Sequence, residues 1–537
     1  EEHERVNIND GTSVGGRVML GWTPSDRLSA RLSFAHQKDT LAHSNWSYYD
    51  TTFGGKYESS PVLLEWSAAE SEMFNLVVDY DFDNFAFYSS TSWGNRDSFL
   101  GQDLSGLFDI FPACGGGAID PLFLGCAGFN PDSADMSINH QTETFSQDFR
   151  LTSDDDGKLQ WVAGVYFFEQ NGYTPQPWYN PEAAIPGGVA SPPDRHNVAE
   201  DLGYLLDALY IADTIEKAVY AEATYALTDR FSITGGLRWY DTSFDFEVPY
   251  FDGIAARLFG TPLVPPTTSD DDGVLPKLAA TFALTDNVNI YAQYSEGFRL
   301  GQVNFGGGGV DPLDGQVIPL DFKSDSLTSI ELGMKGFFFD NKLKANVAIF
   351  QQDWEDIQLT RFTASGLNFT DNAGDASSDG IELELVALVA DVIEVGFSAT
   401  SVDATLDSVL AGVSLAPGST LPGTPELSYS AYGQWTLDNL PNGRSGYLRL
   451  DYRYSEAFFH DLNNTPNERS EDYNVANLRG GIYLSDQFEV VLYVNNLADS
   501  DKIVAADGGR ALHNTGSRAY RQRPRTVGIS VRGNFEF

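Results

Sequence analysis

The sequence predicts an all-β fold, a transmembrane antiparallel β-barrel with about 19 strands present. Three observations predict it. Polarity alternates with a period of two over segments long enough to cross a bilayer, aromatic residues recur at segment ends, and short turns alternate with long polar loops along the chain.

The alternation can be followed in chain order. A first strand is expected near Thr12 to Trp22, and longer ones over Leu159 to Asn171 and Phe231 to Phe244. Further on, Ile330, Leu332, Met334 and Phe338 share one parity against Glu331 and Lys335, and Ile381, Leu383 and Leu385 alternate with Glu382 and Glu384. Leu448, Leu450, Tyr452 and Tyr454 then oppose Arg449, Asp451 and Arg453. Segments Asp472 to Leu484 and Gln487 to Leu497 follow, and the chain closes with Val527, Ile529, Val531, Phe535 and Phe537 against Ser530, Arg532, Asn534 and Glu536. Successive side chains of a strand point to opposite faces, so each segment has one apolar and one polar face. Sandwich strands alternate too, but usually run about 5 to 6 residues. These segments approach or exceed the roughly 9 to 11 residues that a tilted strand needs to span hydrocarbon. Trp239-Tyr240, Tyr166-Phe167-Phe168, Phe337-Phe338-Phe339 and Tyr452/Tyr454 lie near segment ends, where interfacial girdles are expected.

The connections fall into two kinds. Thr23 to Arg27, Asp81 to Asn84, Ser153 to Lys158, Thr228 to Arg230, Asp286-Asn287, Asp340-Asn341 and Ser485 to Gln487 are rich in residues that tight turns use. Between them lie long polar stretches over approximately 38–71, 95–140, 172–215, 246–273, 299–325, 361–377, 405–424, 456–471 and 498–522. Outer-membrane barrels keep short turns on the periplasmic side and long loops outside. Nine hairpins plus a final strand give the count of about 19; because single-chain bacterial barrels have even strand numbers, at least one strand is expected before Thr12.

Composition narrows the function. With 33 Lys plus Arg against 76 Asp plus Glu the net charge is −43, which excludes nucleic acid as a partner. There is no apolar run of transmembrane-helix length and no signal-peptide pattern at Glu1. Cys114 and Cys126 are the only cysteines; one local disulfide in an oxidising compartment is expected, with two free thiols as the alternative. Gly11-Thr12-Ser13-Val14-Gly15 matches a nucleophile elbow in letters but lacks the strand before it and the helix after it. Gly306 to Gly309 has no following Lys-Ser or Lys-Thr, so it is not a phosphate loop. The runs Asp154 to Asp156 and Asp270 to Asp272 miss the spacing and closing Glu of a calcium loop and read as turn chemistry. His3, His36, His43, His140, His196, His460 and His513 are scattered, so neither a metal site, a cofactor nor enzymatic activity is expected.

Five stretches resemble, in order, the barrel of TonB-dependent receptors, particularly the siderophore-receptor type of sphingomonad-like proteobacteria. They are LPKLAATFALTDNVNIYAQYSEGFRLGQVN, SIELGMKGFFFDNKLKANVAIFQQDWEDIQ, NAGDASSDGIELEL, YVNNLAD and RPRTVGISVRGNFEF. The resemblance implies a barrel of about 22 strands around an N-terminal plug, so the plug and about three strands are expected to lie outside the sequence. It implies uptake of a scarce nutrient, energised by the TonB complex through that plug, with a siderophore or other organic nutrient favoured over haem. Val531, Phe535 and Phe537 resemble the signal by which the barrel assembly machinery receives its clients. Trp178, Tyr179, Arg299 and Asn304 are the candidate substrate contacts, set against loop packing as the simpler role. Lipid and lipopolysaccharide are the expected surroundings, and the acidic charge is suited to cationic ligands or to divalent-bridged lipopolysaccharide. A passive porin would share the barrel without the plug, and a barrel enzyme would need a catalytic constellation at the rim.

Overall fold

The computed structural model describes residues 10–42, 47–48, 65–103, 135–153, 157–179, 204–252, 266–304, 307–311, 315–363, 368–409, 415–507 and 518–534. Nineteen long strands pair in chain order. They begin with β1 (Gly11–Ser25), β2 (Leu28–Leu41), β3 (Trp66–Asp81), β4 (Phe85–Asp103), β5 (Asp135–Ser153) and β6 (Leu159–Pro175). β7 (Tyr204–Ala226), β8 (Phe231–Asp252), β9 (Thr267–Thr285), β10 (Val288–Arg299), β11 (Asp325–Phe338) and β12 (Leu343–Glu355) continue the wall. β13 (Ala376–Ala390), β14 (Ile393–Leu406), β15 (Leu427–Leu440), β16 (Arg444–Ser455), β17 (Tyr473–Ser485), β18 (Phe488–Asn495) and β19 (Thr526–Gly533) complete it. Each ladder is antiparallel to the next strand in sequence, and the two-residue strand Trp178–Tyr179 inserts between β5 and β7.

The alternation sorts side chains as the sequence predicts. In β19, Val527, Ile529 and Val531 are 73%, 64% and 65% exposed, while Arg532 on the other parity pairs with Glu489 of β18. Phe535 and Phe537 lie outside the described residues, as do Cys114 and Cys126. Leu237, Val274, Leu278, Ile330, Leu332, Ile381, Leu448 and Leu450 are likewise exposed on the outer face. Such a continuous apolar exterior is unfavourable in water and matched to hydrocarbon. No described helix is long and apolar enough to cross a membrane.

The inner face is polar and internally paired. Asp148 accepts from Arg150 and Tyr220, Glu216 pairs with Arg238, Lys277 reaches Glu222 at 2.8 Å, and Lys344 reaches Glu384 at 2.9 Å. Several inner tyrosines lie flat across a glycine of the adjoining strand and end on a carboxylate. Tyr432 donates to Glu394 at 2.8 Å while its ring covers Gly396, where an added Cβ would lie 2.0 Å from Cε1. Tyr291 over Gly333 with Glu331, and Tyr447 over Gly481 with Glu489, repeat the arrangement. Glycine is required there because any side chain would occupy the ring's place.

Short turns lie on one side of the wall. Asp83, Asp340, Asn341 and Asn442 take positive φ there, a region Asp and Asn enter more readily than most residues. The opposite side carries the long connections. Adjacent aromatics divide between the faces: Trp239 is exposed outward, whereas Tyr240 turns into the barrel, buried, and stacks on Phe298 with centroids 3.7 Å apart. Tyr240 therefore does not join the outer girdle, because a period of two can send only one of two consecutive residues to lipid.

Among the described residues β1 pairs only with β2 and β19 only with β18, and every residue of β1 is exposed. Both strands run in the same direction, so their edges could not join as antiparallel neighbours.

Candidate functional site

The long connections on the loop side interlock into a rim. The segment 300–324 forms the small hairpin Gln302–Val303 with Asp321–Phe322, and 356–375 forms the hairpin Gln358–Phe362 with Asn368–Asn372. A small apolar core of Ile357, Ala376, Ala404, Leu406, Leu421 and Leu462 welds the second hairpin to the loops beyond β14 and β16. Burying such side chains together supplies stabilisation that a solvated loop lacks.

Arg299 and Asn304 both anchor this assembly. Arg299, at the end of β10, donates through Nε to Asp325 Oδ2 at 3.0 Å and through its guanidinium to the Gln358 carbonyl at 3.0 Å. Its guanidinium also stacks over the Trp354 ring, 4.5 Å from the centroid. Asp325 is buried, and its carboxylate also accepts the Gln358 N–H at 3.0 Å. Asn304 is buried as well: its amide donates to the Pro319 and Thr370 carbonyls at 3.1 and 2.8 Å and accepts the Thr370 N–H at 2.7 Å. Two of the four candidate contacts are thus brought to one junction, where the Arg299 side chain remains 47% exposed. Trp178 and Tyr179 lie elsewhere on the rim, their backbones paired with Met136 and Leu206 and with Asp135 and Tyr204.

A second junction joins sequence extremes. Ile503–Asp507, Arg518–Arg521 and Ser47–Tyr48 form a three-stranded sheet, so the last long loop is stitched to the first. Arg518 closes on Glu65 at 2.9 Å, with side chains only 8% and 6% exposed. Sequence reading had no signal for this pair or for Asp325, because their partners are distant in sequence.

The same loop also docks on segment 456–472. Lys502 Nζ donates to Glu471 at 2.8 Å and the Ile503 N–H donates to its other oxygen at 2.9 Å. Burial pushes the Glu471 carboxyl up, but those hydrogen bonds and the Lys502 and Arg521 charges outweigh it and hold it below the usual range. The hydrogen bond and charge of Glu471 raise Lys502 above its ordinary value. A depressed acid contributes stability above its unfolded pKa and loses it as pH falls through the folded value; a raised lysine loses its contribution only as pH rises through its own. Docking of the two loops should therefore persist at neutral pH and loosen in acid below the ordinary carboxylate range. Spin labels on the two loops, followed by distance against pH, would show an acid step in the native protein that Glu471→Gln abolishes; an unchanged step in that variant refutes the assignment.

The family described as TonB dependent receptor-like, beta-barrel, matches residues 4–497. The pesticin receptor of Yersinia enterocolitica is 32% identical over 167 residues, 31% of this chain and 23% of that protein. The ferric-pyoverdine M114 receptor PbuA of a Pseudomonas strain is 26% identical over 338 residues, 58% of this chain and 37% of that protein. These matches thus span well under half of those relatives' lengths. Among solved structures, the ferric yersiniabactin uptake receptor FyuA from Yersinia pestis superposes with a TM-score of 0.74 at 17% identity, covering 98% of this chain and 71% of that one. The siderophore receptor PiuA from Acinetobacter baumannii gives 0.68 at 18% identity, covering 99% and 75%. The match along the chain and the wall's architecture place this protein in the TonB dependent receptor-like beta-barrel family, as a multi-strand barrel of the bacterial outer membrane.

Proposed function

We propose that this chain is the wall of an outer-membrane active transporter for a scarce nutrient, a ferric siderophore being the favoured class. The observation that carries the reading is the match to the receptor family over residues 4–497. The names of the pesticin and ferric-pyoverdine receptors favour an iron chelate. The interlocked rim supports it physically, since a mouth held by buried pairs presents its groups to ligand with little ordering cost. Arg299, stacked on Trp354 and about half exposed, together with Trp178 and Tyr179 elsewhere on the rim, are the proposed contacts, with Asn304 holding the loop beside Arg299.

Energy is proposed to enter from the TonB complex through a plug outside this sequence. Further wall strands belong to the same proposal, because the free edges of β1 and β19 would leave backbone groups unpaired in hydrocarbon at several kcal/mol each. A Cys114–Cys126 disulfide and an assembly signal at Val531, Phe535 and Phe537 complete the reading. The test is radio-iron uptake by iron-starved cells expressing the whole receptor, supplied with ferric pyoverdine or ferric yersiniabactin. Uptake that requires TonB is expected; no uptake of either chelate, or equal uptake without TonB, overturns the reading.

A further inference from the structure

The outer wall of β4 and β5 carries hydrogen-bonding groups inside its apolar band. Cross-strand pairing fixes which residues face outward: exposed Trp239 stands in one row with Val219, Val165 and Phe149, so Phe149 faces lipid. Gln147 and Phe145 follow on the same side of β5. On β4 the partners of Leu151, Phe149, Gln147 and Phe145 are Phe87, Ser89, Thr91 and Trp93. The next outward positions toward the loops are Asn95 and Glu143, so on both strands the apolar band closes at Trp93 and Phe145. Ser89, Thr91 and Gln147 therefore lie within the band, and the last two sit one outward position below its loop-side edge.

The three side chains form one unit. Thr91 donates to Gln147 Oε1 at 2.6 Å, and the Gln147 amide donates to Ser89 Oγ and to the Ser90 and Asp148 carbonyls, each at 3.2 Å. Two capacities remain: the second lone pair of Gln147 Oε1, and the Ser89 O–H, which donates to nothing among the described residues. Aromatic rings flank the unit along both strands, Phe87 stacked on Phe149 toward the turns and Phe145 against Phe167 toward the loops, each with centroids 6.1 Å apart.

No water reaches these groups in hydrocarbon, so only lipid can answer them. The polar atoms of a lipid's chains lie close to its head group, which matches the depth of Thr91 and Gln147 just under the loop-side edge. An ester carbonyl could accept from Ser89 but has nothing to donate to Gln147. A hydroxyl does both.

We infer that Ser89, Thr91 and Gln147 form a binding site for a hydroxylated acyl chain of an outer-leaflet lipid, with the hydroxyl in the first few carbons from the head group. It accepts from Ser89 Oγ and donates to Gln147 Oε1, while the flanking rings hold the methylenes on either side. The inference depends on this face meeting lipid and not on iron uptake, so the two fail separately.

The experiment is native mass spectrometry of the whole purified receptor, delipidated in detergent and then supplied with lipid A bearing 3-hydroxytetradecanoyl chains or with a synthetic analogue whose chains lack the hydroxyl. The head group is common to both, so its contribution cancels. The native protein should retain the hydroxylated lipid about tenfold better, the worth of one or two hydrogen bonds. Ser89→Ala/Gln147→Leu should retain the two lipids alike with its thermal midpoint kept, because apolar replacements suit a lipid-facing wall. If that variant fails to assemble, Ser89→Ala alone removes one outward donor and should lower the preference about threefold. Equal retention of both lipids by the native protein overturns the inference. So does a preference that survives unchanged in the assembled variant.

Discussion

Replacing Arg518 by alanine is expected to loosen the junction between the first and last loops by about 3–5 kcal/mol, the cost of leaving a buried charge without its partner. Glu65 and Arg518 are separated by 453 positions yet are nearly excluded from water. The carboxylate left behind would have to be rehydrated by opening the three-stranded sheet of Ser47–Tyr48, Ile503–Asp507 and Arg518–Arg521. Hydrogen exchange reports this directly: protection of amides in Arg518–Arg521 should fall while protection in β14 to β16 stays unchanged. Replacing both partners together, Glu65→Leu with Arg518→Met, should cost far less, because neither then buries an uncompensated charge. A change within about 0.5 kcal/mol for Arg518→Ala, the range of ordinary surface substitutions, would show that the pair does not hold the loops together.

Asp325→Ala is expected to produce the second large effect, about 2–4 kcal/mol at the junction of the 300–324 and 356–375 segments. Asp325 is buried and accepts from both Arg299 and the Gln358 N–H. Removing it forfeits the charge-assisted bonds and leaves the Gln358 amide without its acceptor, each worth about 1–3 kcal/mol. Arg299 moderates the loss, since half of its side chain already meets water. Asp325→Asn keeps an acceptor for Gln358 while losing the charge, so it should fall between the native protein and the alanine variant. Exchange at the Gln358 amide, with the receptor's thermal midpoint, measures both. Asparagine as damaging as alanine would mean that charge alone matters, and two silent variants would remove Asp325 from the rim's framework.

The wall was legible because its information is local. Val527, Ile529 and Val531 against Arg532 specify a two-faced strand from sequence neighbours alone, and Asp340-Asn341 marks a turn through backbone preference. Counting those units recovered the nineteen long strands. Adjacent aromatics were less legible: Trp239 and Tyr240 look alike in sequence, but register sends one to the membrane and the other onto Phe298.

Sequence by itself thus determined the strand period, the short turns, the sorting of loops to one side and the family, whereas Asp270 to Asp272, which read as turn chemistry, lie within β9 paired with Asp241 to Ser243 because the wall extends beyond the bilayer span there. The tertiary structure alone decided what the loops hold. Arg299 and Asn304 read as loop polar groups until Asp325, Gln358 and Thr370 arrived beside them, and nothing near Glu65 in the chain announces Arg518. The same holds for Ser89, Thr91 and Gln147, whose contact exists only once β4 and β5 are aligned. Alternation is set by the pleat of one strand, whereas pairing of buried charges depends on which distant segments share a low-dielectric space, and that is a property of the folded sheet.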